Sequence, residues 1–142
     1  MNDEVKMEMY SKPENEAVSR IVIATFMARL NPTLEEISDV KTAVSEAITN
    51  SIVHGYRDEG GQIYLEGRID GNQLEVTVID KGMGIPNVKM AREPLYTTKP
   101  DEERSGMGFT FMEIFMDEIH IDSKVNEGTT VRMIKKIVGG EN

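Results

Sequence analysis

A chain of 142 residues, 39% hydrophobic and 29% charged, has apolar material for one core and is short for two. It contains no Cys, which excludes disulfides and thiolate metal sites, and its net charge of −9 argues against direct binding to a nucleic-acid backbone. No apolar run is long enough to span a bilayer and the acidic N-terminus lacks signal-peptide character. The expectation is a cytoplasmic protein whose partner is another protein, or an anionic nucleotide held through backbone amides and a cation.

Residues 5–10, VKMEMY, alternate Val5, Met7 and Met9 against Lys6, Glu8 and Tyr10, the period of a half-buried strand. A Pro-containing turn comes next, then a helix expected from Glu14 to Leu30. Thr33 with Glu36 three residues later forms a capping box for a second helix, whose small or apolar face runs through Leu34, Ile37, Val40, Val44, Ala47 and Ser51. Gly55 reads as its C-terminal stop. Residues 62–69 and 73–80 are strand patterns separated by Asp70-Gly71-Asn72, a hairpin. The stretch from Lys81 to Gly108 shows little periodicity, and loops of that length are functional or disordered. Residues 109–119 are helix-like, and two strands flank the turn at Asn126-Glu127-Gly128. The order β-α-α-β-β-loop-α-β-β predicts one sheet with helices on one face.

Three segments carry chemistry. On the second helix Glu46, Asn50 and His54 recur every fourth residue and fall on one line. An amide oxygen such as that of Asn50 suits Mg²⁺, and Glu46 one turn earlier can take a proton from a hydroxyl or water that attacks a phosphate. His54, near the helix end, reads as a packing or capping imidazole. Asp80-Lys81-Gly82-Met83-Gly84 ends a strand pattern, where an Asp can accept from an exocyclic amine and glycines admit a flat ligand. Ser105-Gly106-Met107-Gly108 opens a helix and can offer free amides to an anion. Each segment alone is also compatible with ordinary surface or turn structure. Arg104 before these glycines can reach a γ-phosphate; Thr98 and Lys99 can contact phosphate or a partner. Arg20 is expected on an exposed helix line with Ile23 and Met27, where it would recognise an acidic partner.

Taken together, E-x-x-x-N, D-x-G-x-G, a lid-like loop ending in G-x-G, and Gly128-Thr129 resemble, in that order, the nucleotide boxes of the GHKL ATPase/kinase superfamily. The resemblance implies a Bergerat ATP-binding α/β two-layer sandwich, with a mixed, mostly antiparallel sheet and helices on one face. The whole chain, 1–142, would be one such domain with an ATP lid at about 85–108. It implies Glu46 as general base, Asn50 as Mg²⁺ ligand and Asp80 as acceptor of the adenine amine. Gly82 and Gly84 would frame the base, Gly106 and Gly108 cradle phosphates, and Thr129 (with Thr130 as the alternative) complete the adenine site. The segments SEAITNSIVHGY, PLYTTKPDEERSGMGF and EGTTVRM are similar to those of the bacterial anti-sigma serine kinases, above all the sporulation anti-sigma F group. That similarity implies a homodimer using ATP/ADP and Mg²⁺, which sequesters sigma-F and phosphorylates a serine of the anti-anti-sigma factor SpoIIAA. Two rival readings are a nucleotide-dependent binding module without turnover and a histidine-kinase-type catalytic domain. Neither His54 nor His120 lies in a phospho-acceptor context, which places the acceptor on another protein.

Overall fold

The computed structural model describes residues 2–93 and 108–140. The elements are β1 (Asn2–Tyr10), α1 (Pro13–Met27), α2 (Leu34–Asn50), β2 (Gln62–Asp70), β3 (Gln73–Asp80), α3 (Val88–Ala91), α4 (Gly108–Phe115), β4 (Glu118–Lys124) and β5 (Gly128–Lys136). The expected element order is the observed one, with α3 added inside the long loop. Among the described residues, five strands form one sheet in the order β1-β2-β3-β5-β4, and every pairing is antiparallel.

The alternating strands bury one face. Ile63, Leu65, Ile69, Leu74, Val76, Val78, Val131 and Met133 point to the helices and are closed to solvent. The other face is mostly polar, as in Arg68, Glu75 and Arg132, with Ile79 and Ile134 among these residues, and Arg132 Nη1 reaches Glu75 Oε1 at 2.8 Å. Against the buried face lie α1 and α2, with α4 packed on α2. Burial of this apolar surface is the main force holding the two layers together.

Helix boundaries follow local chemistry. Pro13 starts α1 where its missing N–H costs nothing. A 3₁₀ turn (Ala28–Leu30) ends that helix, and Asn31 then takes φ +50°. The capping box at α2 is present: Thr33 Oγ1 accepts from Glu36 N–H at 3.0 Å, and Glu36 Oε1 accepts from Thr33 N–H at 2.9 Å. Glu36 does more than cap. Its carboxylate also receives the N–H of Val138 (2.7 Å) and Gly139 (3.1 Å), tying the strap after β5 to the start of α2.

Two expectations about helix faces are corrected. Of the expected α2 face, Val40, Val44, Ala47 and Ser51 are buried, with Ala43 and Ile48 beside them, whereas Leu34 in the first turn is 86% exposed. On α1, Ile23 and Met27 are core residues while Val18 and Ile21 are exposed. That helix is apolar on nearly every side, and only the position of the sheet decides which side is covered. Arg20 therefore has no exposed Ile23–Met27 line beside it.

Candidate active site

α2 does not stop at Asn50. It runs into one π turn, Ser51–Gly55, in which Tyr56 N–H bonds to the Ser51 carbonyl five residues back at 2.9 Å. Turns of this kind widen a helix by one residue and turn side chains away from their α-helical directions. Here the turn brings the end of α2 against the end of β3.

Asp80, the last residue of β3, is 2% exposed. Its Oδ2 accepts from Ser51 Oγ at 2.9 Å and its Oδ1 from Gly82 N–H at 3.0 Å. Burial pushes the carboxyl pKa up; the Gly82 N–H, the Ser51 hydroxyl and the Thr129 backbone pull it back without cancelling the rise. Gly55 faces this carboxylate, and a Cβ there would stand 2.8 Å from Oδ2. Gly55 ends the helical segment as expected, and what its position requires is close approach to the carboxylate; the positive φ values fall on Arg57 and Asp58.

The loop 81–85 is held in place from outside. Lys81 N–H donates to the Tyr56 hydroxyl at 2.7 Å, and that hydroxyl donates to the Gln62 carbonyl. Met83 N–H reaches the Gly55 carbonyl at 2.9 Å, and Asn126 N–H reaches the Met83 carbonyl at 2.6 Å. Ile85 N–H donates to Ser123 Oγ at 2.8 Å, and Ser123 Oγ lies 2.8 Å from Thr129 Oγ1. Gly84 takes φ +77° with its α-carbon packed onto the Lys124 carbonyl, which leaves no room for a side chain. Burial raises the Tyr56 pKa, the Lys81 N–H lowers it, and the charges of Asp80 and Tyr64 raise it further. Such a loop needs little reorganisation to receive a flat ligand.

The other expected residues lie at varying distances from this centre. Glu46 and Asn50 are half-buried on the last turns of α2, the helix that carries Ser51 to Asp80. His54 lies within the π turn. Thr129 is 4% exposed and is the cross-strand partner of Asp80, on the helix-facing side of the sheet. Thr130 pairs with Ile79 and faces the other way. Gly108 opens α4, whose first amides lack intrahelical partners. Thr98, Lys99, Arg104, Ser105, Gly106 and Met107 lie outside the described residues. Arg20 stands apart from the site on α1. Its Nε is 3.0 Å from Glu16 Oε1 but is not aligned on it, so the contact is an ion pair without a hydrogen bond. It lines a groove of about 450 Å³ with Leu34, Ile37, Lys41 and the hydroxyls of Ser38, Thr42 and Ser45.

Sequence reasoning missed Ser51, Tyr56, Ser123 and Asn126. For Ser51 a signal existed: a serine in the apolar row of α2 needs an internal partner. The others act through backbone contacts across the fold, which spacing does not reveal.

Comparison with known proteins gives the chain its family. The model of the Histidine kinase-like ATPase domain matches residues 9–135. The chain is 53% identical over 136 residues to the Anti-sigma F factor of Clostridium beijerinckii, covering 95% of both chains. It is 51% identical over 138 residues to that of Anoxybacillus flavithermus, covering 96% of this chain and 94% of the relative. It resembles in fold the RsbU and RsbW domain structure from Mycobacterium tuberculosis, with a TM-score of 0.65 at 15% identity, covering 95% of this chain and 32% of that one. A two-layer sandwich with its acidic and glycine-rich residues at one end, matched over nearly its full length to these relatives, belongs to the histidine kinase-like (GHKL) ATPase family and, within it, to the anti-sigma F factors.

Proposed function

We propose that the chain is an anti-sigma factor and an ATP-dependent protein serine kinase. It binds a sigma factor of the sigma-F type and so blocks transcription, and it phosphorylates a serine of the anti-anti-sigma factor SpoIIAA, a control point of sporulation. The relatives' name supports the anti-sigma half. One observation supports the catalytic half: the end of α2 bearing Glu46 and Asn50 is joined to the buried carboxylate of Asp80 by the 2.9 Å Ser51 bond, with α4 packed on that same helix.

The residues present fit a nucleotide. Asp80 is buried with acceptor capacity beyond its bonds from Ser51, Gly82 and the Thr129 backbone, as an adenine amine requires, and the 81–85 loop offers a close backbone wall. Thr129 beside it would complete the adenine pocket, with Gly82 and Gly84 framing the base. The amide oxygen of Asn50 would hold Mg²⁺. The amide of Gly108 at the start of α4, together with Gly106, Met107, Ser105, Arg104, Thr98 and Lys99 of the preceding sequence, would hold phosphates as the lid of a single ATP-binding unit. Mg-ATP supplies the γ-phosphoryl group. Glu46 would accept the proton that the partner's serine hydroxyl loses, a proton that a hydroxyl of high pKa does not give up at neutral pH without a base.

Two copies of the chain are proposed to pair. The edge of β1, a strand that among the described residues pairs in the sheet with β2 alone, is a surface suited to such a contact. Arg20 in the α1–α2 groove is proposed to meet an acidic segment of a partner protein.

The test is incubation with labelled Mg-ATP and purified SpoIIAA. Phosphoserine on SpoIIAA is expected, and Glu46→Gln should lower its rate by a factor of about 10²–10⁴ while nucleotide still binds. Absence of transfer by the wild type would leave a binding module; unchanged transfer by Glu46→Gln would remove the base assignment.

A further inference from the structure

Ser51 lies four residues beyond Ala47 on the inner row of α2 and is 3% exposed. A buried hydroxyl needs a partner inside the protein. It finds one in Oδ2 of Asp80 at 2.9 Å, while Gly82 N–H occupies Oδ1 at 3.0 Å. The π turn makes this possible, since it seats Ser51 and the bare backbone of Gly55 against the carboxylate together. Each oxygen therefore has a donor, the Thr129 backbone adds a third, and of the roughly four lone-pair sites of a carboxylate about one is left for a ligand. A protonated carboxyl in the same place would present an O–H donor instead. The two states suit different purines. A 6-amino purine brings a donor to this position and a 6-oxo purine brings an acceptor.

We propose that Ser51 is a positioning residue that fixes Asp80 as a pure acceptor and thereby sets a preference for 6-amino over 6-oxo purine nucleotides. The proposal rests on the assignment of Asp80 to the nucleotide base. Without the Ser51 hydroxyl, Oδ2 loses that donor, and one fewer bond opposes a proton on the carboxyl. Burial already favours that proton. Among the described residues, the titratable side chains on the segments carrying this contact are Glu46 on α2, His54 on the π turn, Tyr56 just after it and Lys81 after β3. Tyr56 is electrostatically coupled to Asp80, and the Lys81 ammonium lies over the Tyr64 ring, 6.0 Å from its centroid.

The test titrates the full chain, wild type and Ser51→Ala, with Mg-ADP and Mg-IDP over a range of pH by calorimetry. ADP should bind Ser51→Ala about tenfold more weakly, the worth of one hydrogen bond to a charged group, while IDP holds or gains. The ADP/IDP ratio should fall accordingly, and the decline of ADP affinity on acidification should begin at higher pH than in the wild type. Ser51→Cys, nearly the same size with a weaker donor, should fall between the two and serves if the alanine variant does not fold. A Ser51→Ala protein with the wild-type ratio and wild-type pH profile would overturn the proposal. Asp80→Asn in parallel separates the layers: if it keeps the wild-type ratio, the assignment of Asp80 itself fails; if it loses the ratio while Ser51→Ala keeps it, only the role of Ser51 fails.

Discussion

A carboxylate shut away from water keeps its charge only where donors replace the solvent, and Asp80 has such donors yet its pKa still lies above the ordinary value. Between the unfolded carboxyl's pKa and the higher native one, the folded state binds more protons, so Asp80's contribution to stability declines as pH rises through that window. Nucleotide binding runs the other way, because an amine donor favours the ionised form: affinity should fall as pH drops through the raised native pKa. Asp80→Asn should weaken Mg-ADP binding about tenfold or more at neutral pH yet leave the urea midpoint equal to or above the wild type's. Loss of both together would mean that Asp80 is structural. Much of the site was legible at this scale. Glu46, Asn50 and Asp80 declare themselves through side-chain type and spacing. Ser51 was legible only as a small residue on an apolar face, and Tyr56 was not legible, since its partners Lys81 and Gln62 belong to strand ends that only folding brings near.

At the scale of elements, one carboxylate joins the start of a helix to the segment that follows the last strand. Glu36 belongs to the first turn of α2, caps that helix with Thr33, and holds the strap after β5. Partial burial pushes its pKa up, but the backbone N–H groups of Thr33, Val138 and Gly139, with the Thr33 side chain, outweigh it and hold it below the usual value. Its stabilisation is therefore full above the unfolded pKa and is lost as pH falls through the lower native one. Thr33→Ala should cost about 1 kcal/mol in urea unfolding, and Glu36→Ala more, because the strap is released too. The gap between Glu36→Ala and wild type should close on acidification; a gap independent of pH would show that the carboxylate charge is irrelevant. The strands and the capping box were readable because alternation and the Thr-x-x-Glu spacing are local. The buried side of α1 was not, since Ile21, Val22 and Ile23 fall on several sides of one helix and only the sheet selects among them. The strap could not be foreseen either, because Glu36 and Val138 lie far apart in the chain.

For the whole molecule, the residues lining the α1–α2 groove and the residues bonded to Asp80 are separate sets. Binding a protein at Arg20 and binding a nucleotide at Asp80 can then be separated by mutation. Arg20→Glu should reduce affinity for the sigma factor or for SpoIIAA by about tenfold or more in a pull-down or calorimetric titration, with Mg-ADP affinity unchanged. Unchanged partner affinity would remove the groove from consideration. The ion pair with Glu16 makes charge reversal informative, since the introduced carboxylate would face Glu16 and the acidic partner at once.

The π turn between α2 and Tyr56 has a consequence for how this chain tolerates changes of length. An α-helical turn would span the same path with one residue fewer, and each residue added to or taken from a helix rotates the chain beyond it by about 100°. Loss of a single codon within Ser51–Gly55 would let the helix close regularly, turning either Ser51 or Gly55 away from the carboxylate while leaving every other contact type available. Insertions and deletions, more than most substitutions, are the changes this short segment is built to exclude.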